Sequence, residues 1–268
     1  MLLKRILTAS IIAPIVVFSI LILTQTGFAL ALALILIISS WEYCGLIQIK
    51  HLAGKSLYTL LILIVSYFLS SVPSNLTVVL YSGAVWWLIA LTWVMMFPKG
   101  STLLRKTLTV KLINGLFIFV PMITALMALH LQDKSLVLFL LILIWSADIG
   151  AYFAGKFFGK NKLCPNVSPA KTLEGVYGGI TLAQVVTIIY VCISTQTPLL
   201  NDFLIFSLLA LSVSLVSVLG DLFESVLKRI AEVKDSGNIL PGHGGLLDRI
   251  DSLTSSAPIF FILFTFLI

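Results

Sequence analysis

A stretch of about twenty apolar residues can cross the ~30 Å hydrocarbon core of a bilayer as one helix. Nine such stretches follow one another in this chain, near 6–24, 27–47, 57–72, 78–97, 112–130, 135–155, 175–195, 203–227 and 252–268. Inside hydrocarbon every backbone N–H and C=O must be paired, which leaves only helices and closed barrels. The alternating ten-residue segments of a barrel are absent. The predicted fold is therefore an all-α polytopic membrane protein with about nine transmembrane helices. Composition agrees, since 59% of residues are hydrophobic and 10% charged, against ~25% charged in soluble domains. The third stretch is short for a span, and the ninth runs only to Ile268.

Cations assign a direction. Lys4 and Arg5 precede the first stretch, and Lys50 and Lys55 follow the second. Lys99, Arg105, Lys106 and Lys111 follow the fourth. Lys156, Lys160, Lys162 and Lys171 follow the sixth, and Lys228, Arg229, Lys234 and Arg249 follow the eighth. Sixteen of the seventeen Lys and Arg thus share one loop parity, and only Lys134 lies on the other. Positive loops stay in the cytoplasm, so the N-terminus is expected to be cytoplasmic. The net charge of +6 reflects this asymmetry, and no nucleic-acid partner is expected. Lys4-Arg5 before an apolar run resembles a signal peptide. The length of that run and the span that follows it predict retention as the first helix. Cys44, Cys164 and Cys192 make no CxxC pair and His51, His130 and His243 lie far apart, which argues against a zinc site or a disulfide framework.

The two halves differ in polarity. Residues 1–130 hold five spans and few acids, and read as an N-terminal scaffold. Residues 131–268 read as a catalytic region with cytoplasmic polar loops at 156–174 and 228–252. Nine of the eleven acids occur from Asp148 onward. A charge at the bilayer centre costs about 2.5–3.5 kcal/mol on insertion scales, so acids at span ends suggest pairing or function. In the first half, Glu42 beside Trp41 and Tyr43 reads as interfacial. Trp86, Trp87 and Trp93 read as anchors or packing residues.

Asp148, Tyr152 and Lys156 recur every four residues and share a helix face. Ala151, Gly155 and Gly159 form a small-residue stripe beside it. Gly150 to Phe157 nearly spells a phosphate-binding P-loop, but Phe157 stands where Ser or Thr must follow the lysine and no strand precedes it. Pro165 and Pro169 should hold the next loop extended, leading to Ser168, Lys171, Thr172 and Glu174. Further on, Ser217, Asp221 and Ser225 share a face, and Glu224 and Lys228 form an i,i+4 pair. From residue 228 to 252 four cations balance four acids, whereas a loop that only clings to anionic lipid should be basic. Gly242, Gly244 and Gly245 around His243 let backbone N–H groups approach an anion. His243 has no second histidine nearby, and phosphate contact and loop structure stay open for it. Asp248, Arg249 and Asp251 follow directly.

Ser225-x-Leu227-Lys228-Arg229-x4-Lys234-Asp235-x-Gly237-x2-Leu240-Pro241-x-His243-Gly244-Gly245-Leu246-x-Asp248-Arg249-Ile250-Asp251 resembles the signature of phosphatidate cytidylyltransferases, or CDP-diacylglycerol synthases. Ser168-Pro-x-Lys171-Thr172-x-Glu174-Gly175 resembles the family's other polar region. The resemblance implies transfer of a cytidylyl group from CTP to phosphatidic acid, with Mg²⁺ as cofactor and a second cation left open. It implies Asp221 and Asp248 as metal ligands and a catalytic group of Asp221, Asp248, Lys171, Arg249 and Asp251. Substrate contacts would come from Lys228, Arg229, Lys234, Ser168, Thr172, Glu174, Asp148, His243, Gly244 and Gly245. The expected setting is a bacterial cytoplasmic (inner) membrane, among membrane lipids, with the site facing the cytoplasm; a homodimer is left open. Two rivals are a transferase acting on another lipid phosphate and an ion-coupled transporter. The second would show inverted repeats, and no second copy of the Gly-His-Gly-Gly or Asp-Arg-x-Asp pattern occurs.

Overall fold

The computed structural model describes residues 2–194, 197–239 and 244–268, and side chains from Ser10 onward. His243 lies outside the described residues. The helices are α1 (Leu2–Ile22), α2 (Gln25–Leu46), α3 (Leu52–Ser71), α4 (Leu76–Met95), the short α5 (Thr102–Lys106), α6 (Leu108–Gln132), α7 (Lys134–Phe158), α8 (Leu173–Ser194), α9 (Leu200–Ala231) and α10 (Leu247–Leu267). Eight of them, α2 to α4 and α6 to α10, are long and apolar enough to cross a membrane. The first expected span is present as helix α1, with a shorter apolar stretch, Ser10–Ile22. The third and ninth spans, which look short in sequence, are helices of 20 and 21 residues because each begins earlier than its apolar run.

Helix ends explain several isolated polar residues. Thr24 caps α2 by accepting from Gly27 N, and Asp133 caps α7 by accepting from Ser135 N at 2.8 Å. Asp202 accepts from Leu199 N at 2.9 Å at the start of α9. Each side chain satisfies an N–H that the helix leaves without a partner. Near the C-terminal end of α1, His130 meets Ile20 O, and Lys134 donates to Leu21 O and Leu23 O. Lys134, the cation of opposite parity, is thus a cap for a neighbouring helix.

Packing places the site. The α7 and α8 helices approach through glycine: a Cβ at Gly179 would lie 2.7 Å from Ala147 O, and one at Gly178 would run into Ala154 Cβ. The α9 and α10 helices meet through serines, with Ser252 Oγ donating to Ser217 O at 3.2 Å and Ser255 Oγ to Val216 O at 2.8 Å. Trp86, Trp87 and Trp93 of α4 gather around Phe223 of α9, with ring centroids 5.1, 5.8 and 6.2 Å away. Trp86 and Trp87 are therefore core residues. The segment between α7 and α8 is extended, as Pro165 and Pro169 imply, but it goes further and folds into an antiparallel hairpin of β1 (Lys162–Cys164) and β2 (Ser168–Thr172). The α9 helix has 32 residues, about 48 Å at 1.5 Å per residue, so it outruns the hydrocarbon core and carries its last turns to the hairpin.

Candidate active site

The C-terminal turns of α7 and α9, the hairpin and the first turns of α10 converge at one end of the bundle. Asp148 and Asp221 each sit ten residues before the end of their helix, at matching depth. Lys171 at the end of the hairpin reaches Asp221, with Nζ 2.7 Å from Oδ2 and the two side chains 24% and 34% exposed. Ser225 Oγ donates to Asp221 Oδ1 at 3.4 Å. Asp148 is exposed and lies within electrostatic reach of Asp221, Lys171 and Arg249. Asp251, half-buried, neighbours Asp221, Glu224 and Lys228. Gly220 makes this possible, because a Cβ there would stand 2.5 Å from Asp251 O. The result is a polar wedge running from exposed Asp148 and Arg249, through half-buried Asp221, Lys171 and Asp251, to buried Glu224.

Next to it lies a second charge centre. Lys228 Nζ contacts Asp248 Oδ1 at 2.7 Å and Glu224 Oε2 at 3.0 Å. Asp248 Oδ2 accepts from Ser236 N and Ser236 Oγ, both at 2.9 Å, and from Gly245 N at 2.8 Å. Gly244 has φ +80°, in the left-handed region that favours glycine, and a Cβ on it would press on Asp248 Oδ2. Both oxygens of Asp248 are thus engaged, and the residue ties Ser236 to Gly245. It shares no atom with Asp221, the other expected metal ligand. No group of three or more His, Cys, Asp or Glu is pre-arranged around a metal position among the described residues.

The hairpin is held from both sides. Arg229 Nε donates to Val167 O at 3.1 Å, tying its turn to α9. Glu174 accepts from Lys160 N at 3.1 Å, Asn161 N at 3.2 Å and Asn161 Nδ2 at 2.7 Å. Thr172 is buried against Gly155 and Gly159, and its Oγ1 accepts from Gly175 N at the start of α8. Thr172 and Glu174, expected as substrate contacts, thus brace the hairpin that presents Lys171. Ser168 pairs with Cys164 in the ladder, and Lys234 is exposed. Lys156 stands over the rings of Tyr152 and Phe157 at 5.9 and 5.8 Å, on the outer side of α7. Cys164 is half-buried, and burial pushes its thiol pKa up.

One residue was not expected here. Glu42, read from sequence as interfacial, is buried, and its carboxylate accepts from Leu246 N at 3.1 Å, Leu247 N at 2.8 Å and Ser236 Oγ at 3.3 Å. The available signal was its isolation, as one of only two acids before Asp148.

A bundle of membrane-length helices thus gathers carboxylates and cations at one end, and likeness to known proteins gives the class a name. The model of the Cytidylyltransferase family matches residues 3–267, and the chain belongs to that family. Among its relatives, the phosphatidate cytidylyltransferase of Haemophilus influenzae is 35% identical, with all of both chains covered. The phosphatidate cytidylyltransferase of Pseudomonas aeruginosa is 37% identical over 97% of this chain and 96% of its own. That of Thermotoga maritima is 32% identical over 98% and 96%.

Proposed function

We propose that this protein transfers the cytidylyl group of CTP to phosphatidic acid, yielding CDP-diacylglycerol and pyrophosphate. The observation that carries the reading is the convergence of Lys171, Lys228, Arg229 and Arg249 with Asp148, Asp221 and Asp251 at one end of a bundle whose relatives bear that name along their whole length. In the reaction a phosphatidate oxygen attacks the α-phosphorus of CTP. A new P–O bond forms as the bond to the pyrophosphate oxygen breaks. The attacking phosphate is already anionic, so the protein need not remove a proton. Its task is to bring two polyanions together and steady the charge of the transition state.

The residues allocate that task. Lys171 is held by Asp221 at the mouth of the wedge, where its ammonium meets an incoming phosphate. Arg249 and Arg229 offer planar donors suited to phosphate oxygens, and Arg229 also fixes the hairpin turn. Lys228, clamped between Asp248 and Glu224, offsets the charge of these carboxylates at the base. The donor set also fits a divalent cation. Asp221 already accommodates a positive group, the Lys171 ammonium, on Oδ2, and Asp251 and Asp148 lie near it. When bound, Mg²⁺ would neutralise phosphate charge and lend Lewis acidity, keeping waters and substrate oxygens in its shell. Asp221, with Asp251 or Asp148, would hold it. Asp248 Oδ1 meets a cation in the same way, the Lys228 ammonium at 2.7 Å, and is a second candidate ligand.

We place the site at the cytoplasmic face of a bacterial inner membrane, as the cation distribution implies and as access to CTP requires. The test is incorporation of labelled CTP into chloroform-soluble product by the purified protein, across a panel of phosphatidates and other lipid phosphates. Label that enters only with phosphatidate and Mg²⁺ supports the reading. Label that enters only with another lipid phosphate replaces the acceptor, and none at all rejects the function.

A further inference from the structure

We infer that Glu42 is a positioning residue for the active site, acting from the N-terminal half of the chain through the first turn of α10. The inference rests on the cytidylyltransferase reading of that site. Three observations carry it. The Glu42 carboxylate takes up Leu246 N and Leu247 N, two of the N–H groups that the start of α10 leaves unpaired. It also shares the hydroxyl of Ser236 with Asp248, since Ser236 Oγ lies 3.3 Å from Glu42 Oε2 and 2.9 Å from Asp248 Oδ2. Finally, the backbone is cleared for it on two sides. A Cβ at Gly245 would stand 2.5 Å from Glu42 Oε2, and a Cβ at Gly237 would overlap Oε1.

These contacts fix one geometry. Asp248 and Asp251 lie in the first two turns of α10, so whatever sets the depth and rotation of Leu246 and Leu247 sets those carboxylates too. Glu42 is buried on α2 beside Tyr43, whose hydroxyl donates to Lys111 O at 2.6 Å on α6. The anchor is thus rigid and belongs to the half without a chemical motif of its own. A carboxylate is suited to this place because Leu246 N and Leu247 N donate to its two different oxygens. An amide would turn its NH₂ toward one of these backbone N–H groups, which cannot accept. A displacement of about 1 Å of reacting groups can cost about a hundredfold in rate.

The experiment uses the full-length protein purified in detergent. Wild type is assayed first for labelled CDP-lipid; a silent wild type rejects the functional reading and is decided before any variant is made. With active wild type, Glu42→Gln is expected to lower the melting temperature and, well below that temperature, to lower kcat by about tenfold to a hundredfold, with KM for CTP changed less than about threefold. Ser236→Ala should lower kcat less. Glu42→Gln added to it should cost less than in wild type, because the two share one hydroxyl. Wild-type kcat in Glu42→Gln, or strict additivity with Ser236→Ala, overturns the proposal. So does a loss confined to KM. If Glu42→Gln does not fold, Gly237→Ala, whose Cβ would press on the Glu42 carboxylate, is read by the same kcat and KM criteria.

Discussion

At the residue scale, the carboxylates of the second half separate into kinds by what their oxygens touch. Asp221 faces Lys171 and a hydroxyl in an open wedge, and little else depends on it. Asp221→Asn should therefore abolish turnover, by at least about a hundredfold, while leaving the melting temperature near wild type; product formation and thermal denaturation measured together check this. Asp248 is different, since it receives three donors and Lys228. Asp248→Asn should lose activity and also lose about 1.5–3 kcal/mol of stability, the worth of hydrogen bonds to a charged group. An Asp248→Asn protein as stable as wild type would show that the loop does not depend on this charge. Asp202 only caps α9, so Asp202→Asn should keep full activity. Arg249→Lys keeps the charge but loses the planar donor pair, and its kcat/KM should fall; parity with wild type would make Arg249 a screening charge.

At the element scale, α7 and α8 carry Asp148 and the base of the hairpin, and their spacing depends on side chains that are absent. Gly178 packs on Ala154 and Gly150 O so closely that an added Cβ has nowhere to go. Gly178→Val should push the helices apart and lower the melting temperature, by an overpacking cost of about 1–3 kcal/mol. Activity should fall with it, because Lys171 rides on the hairpin between them. Gly45 is the matched control, since a Cβ added there would meet nothing within 4 Å, and Gly45→Ala should be neutral. The hairpin was hard to foresee in sequence. Two short strands with Pro169 inside one carry little β signal, and their pairing is enforced by Glu174, Thr172 and Arg229 from outside the ladder's own hydrogen bonds.

At the scale of the whole molecule, the contacts divide the bundle into two ends. Glu42, Lys111, Cys164, Asp221 and Asp248 gather at one, and Gln25, His130 and Lys134 at the other. The positive-inside pattern predicts that the first end faces the cytoplasm. Cys164 is a poor reporter, because its thiol is half-buried and its raised pKa leaves less thiolate at neutral pH. Lys160→Cys, on the exposed lead into the hairpin, should instead react with an impermeant maleimide in inside-out vesicles and not in sealed cells. Labelling in sealed cells would reverse the topology and take the site away from CTP. A direct, sequential transfer is also expected, since Cys164 has no adjacent base among the described residues and the acceptor phosphate needs none. Pyrophosphate–CTP exchange in lipid-free protein would reveal a covalent nucleotidyl intermediate instead.

The sequence by itself determined the helices. Twenty-residue apolar runs must close their own hydrogen bonds in hydrocarbon, and α2 to α4 and α6 to α10 follow the runs to within a few residues. It also marked the polar residues of the second half, because a charge near a span end is too costly to be idle, and the Glu224–Lys228 pair follows from helical spacing alone. What it could not express was which of those charges would meet. Lys171 and Asp221 are fifty residues apart, Glu42 and Leu247 more than two hundred. Spacing along a chain says nothing about partners on different helices. Only the packing of α2 on α10, α7 on α8 and α9 on α10 set Lys171 on Asp221, and Lys228, Ser236 and Gly245 on Asp248. That packing also turned Glu42 from an interfacial acid into the anchor of α10, because hydrogen bonding in a buried junction is decided by three-dimensional proximity, which small residues on separate helices create.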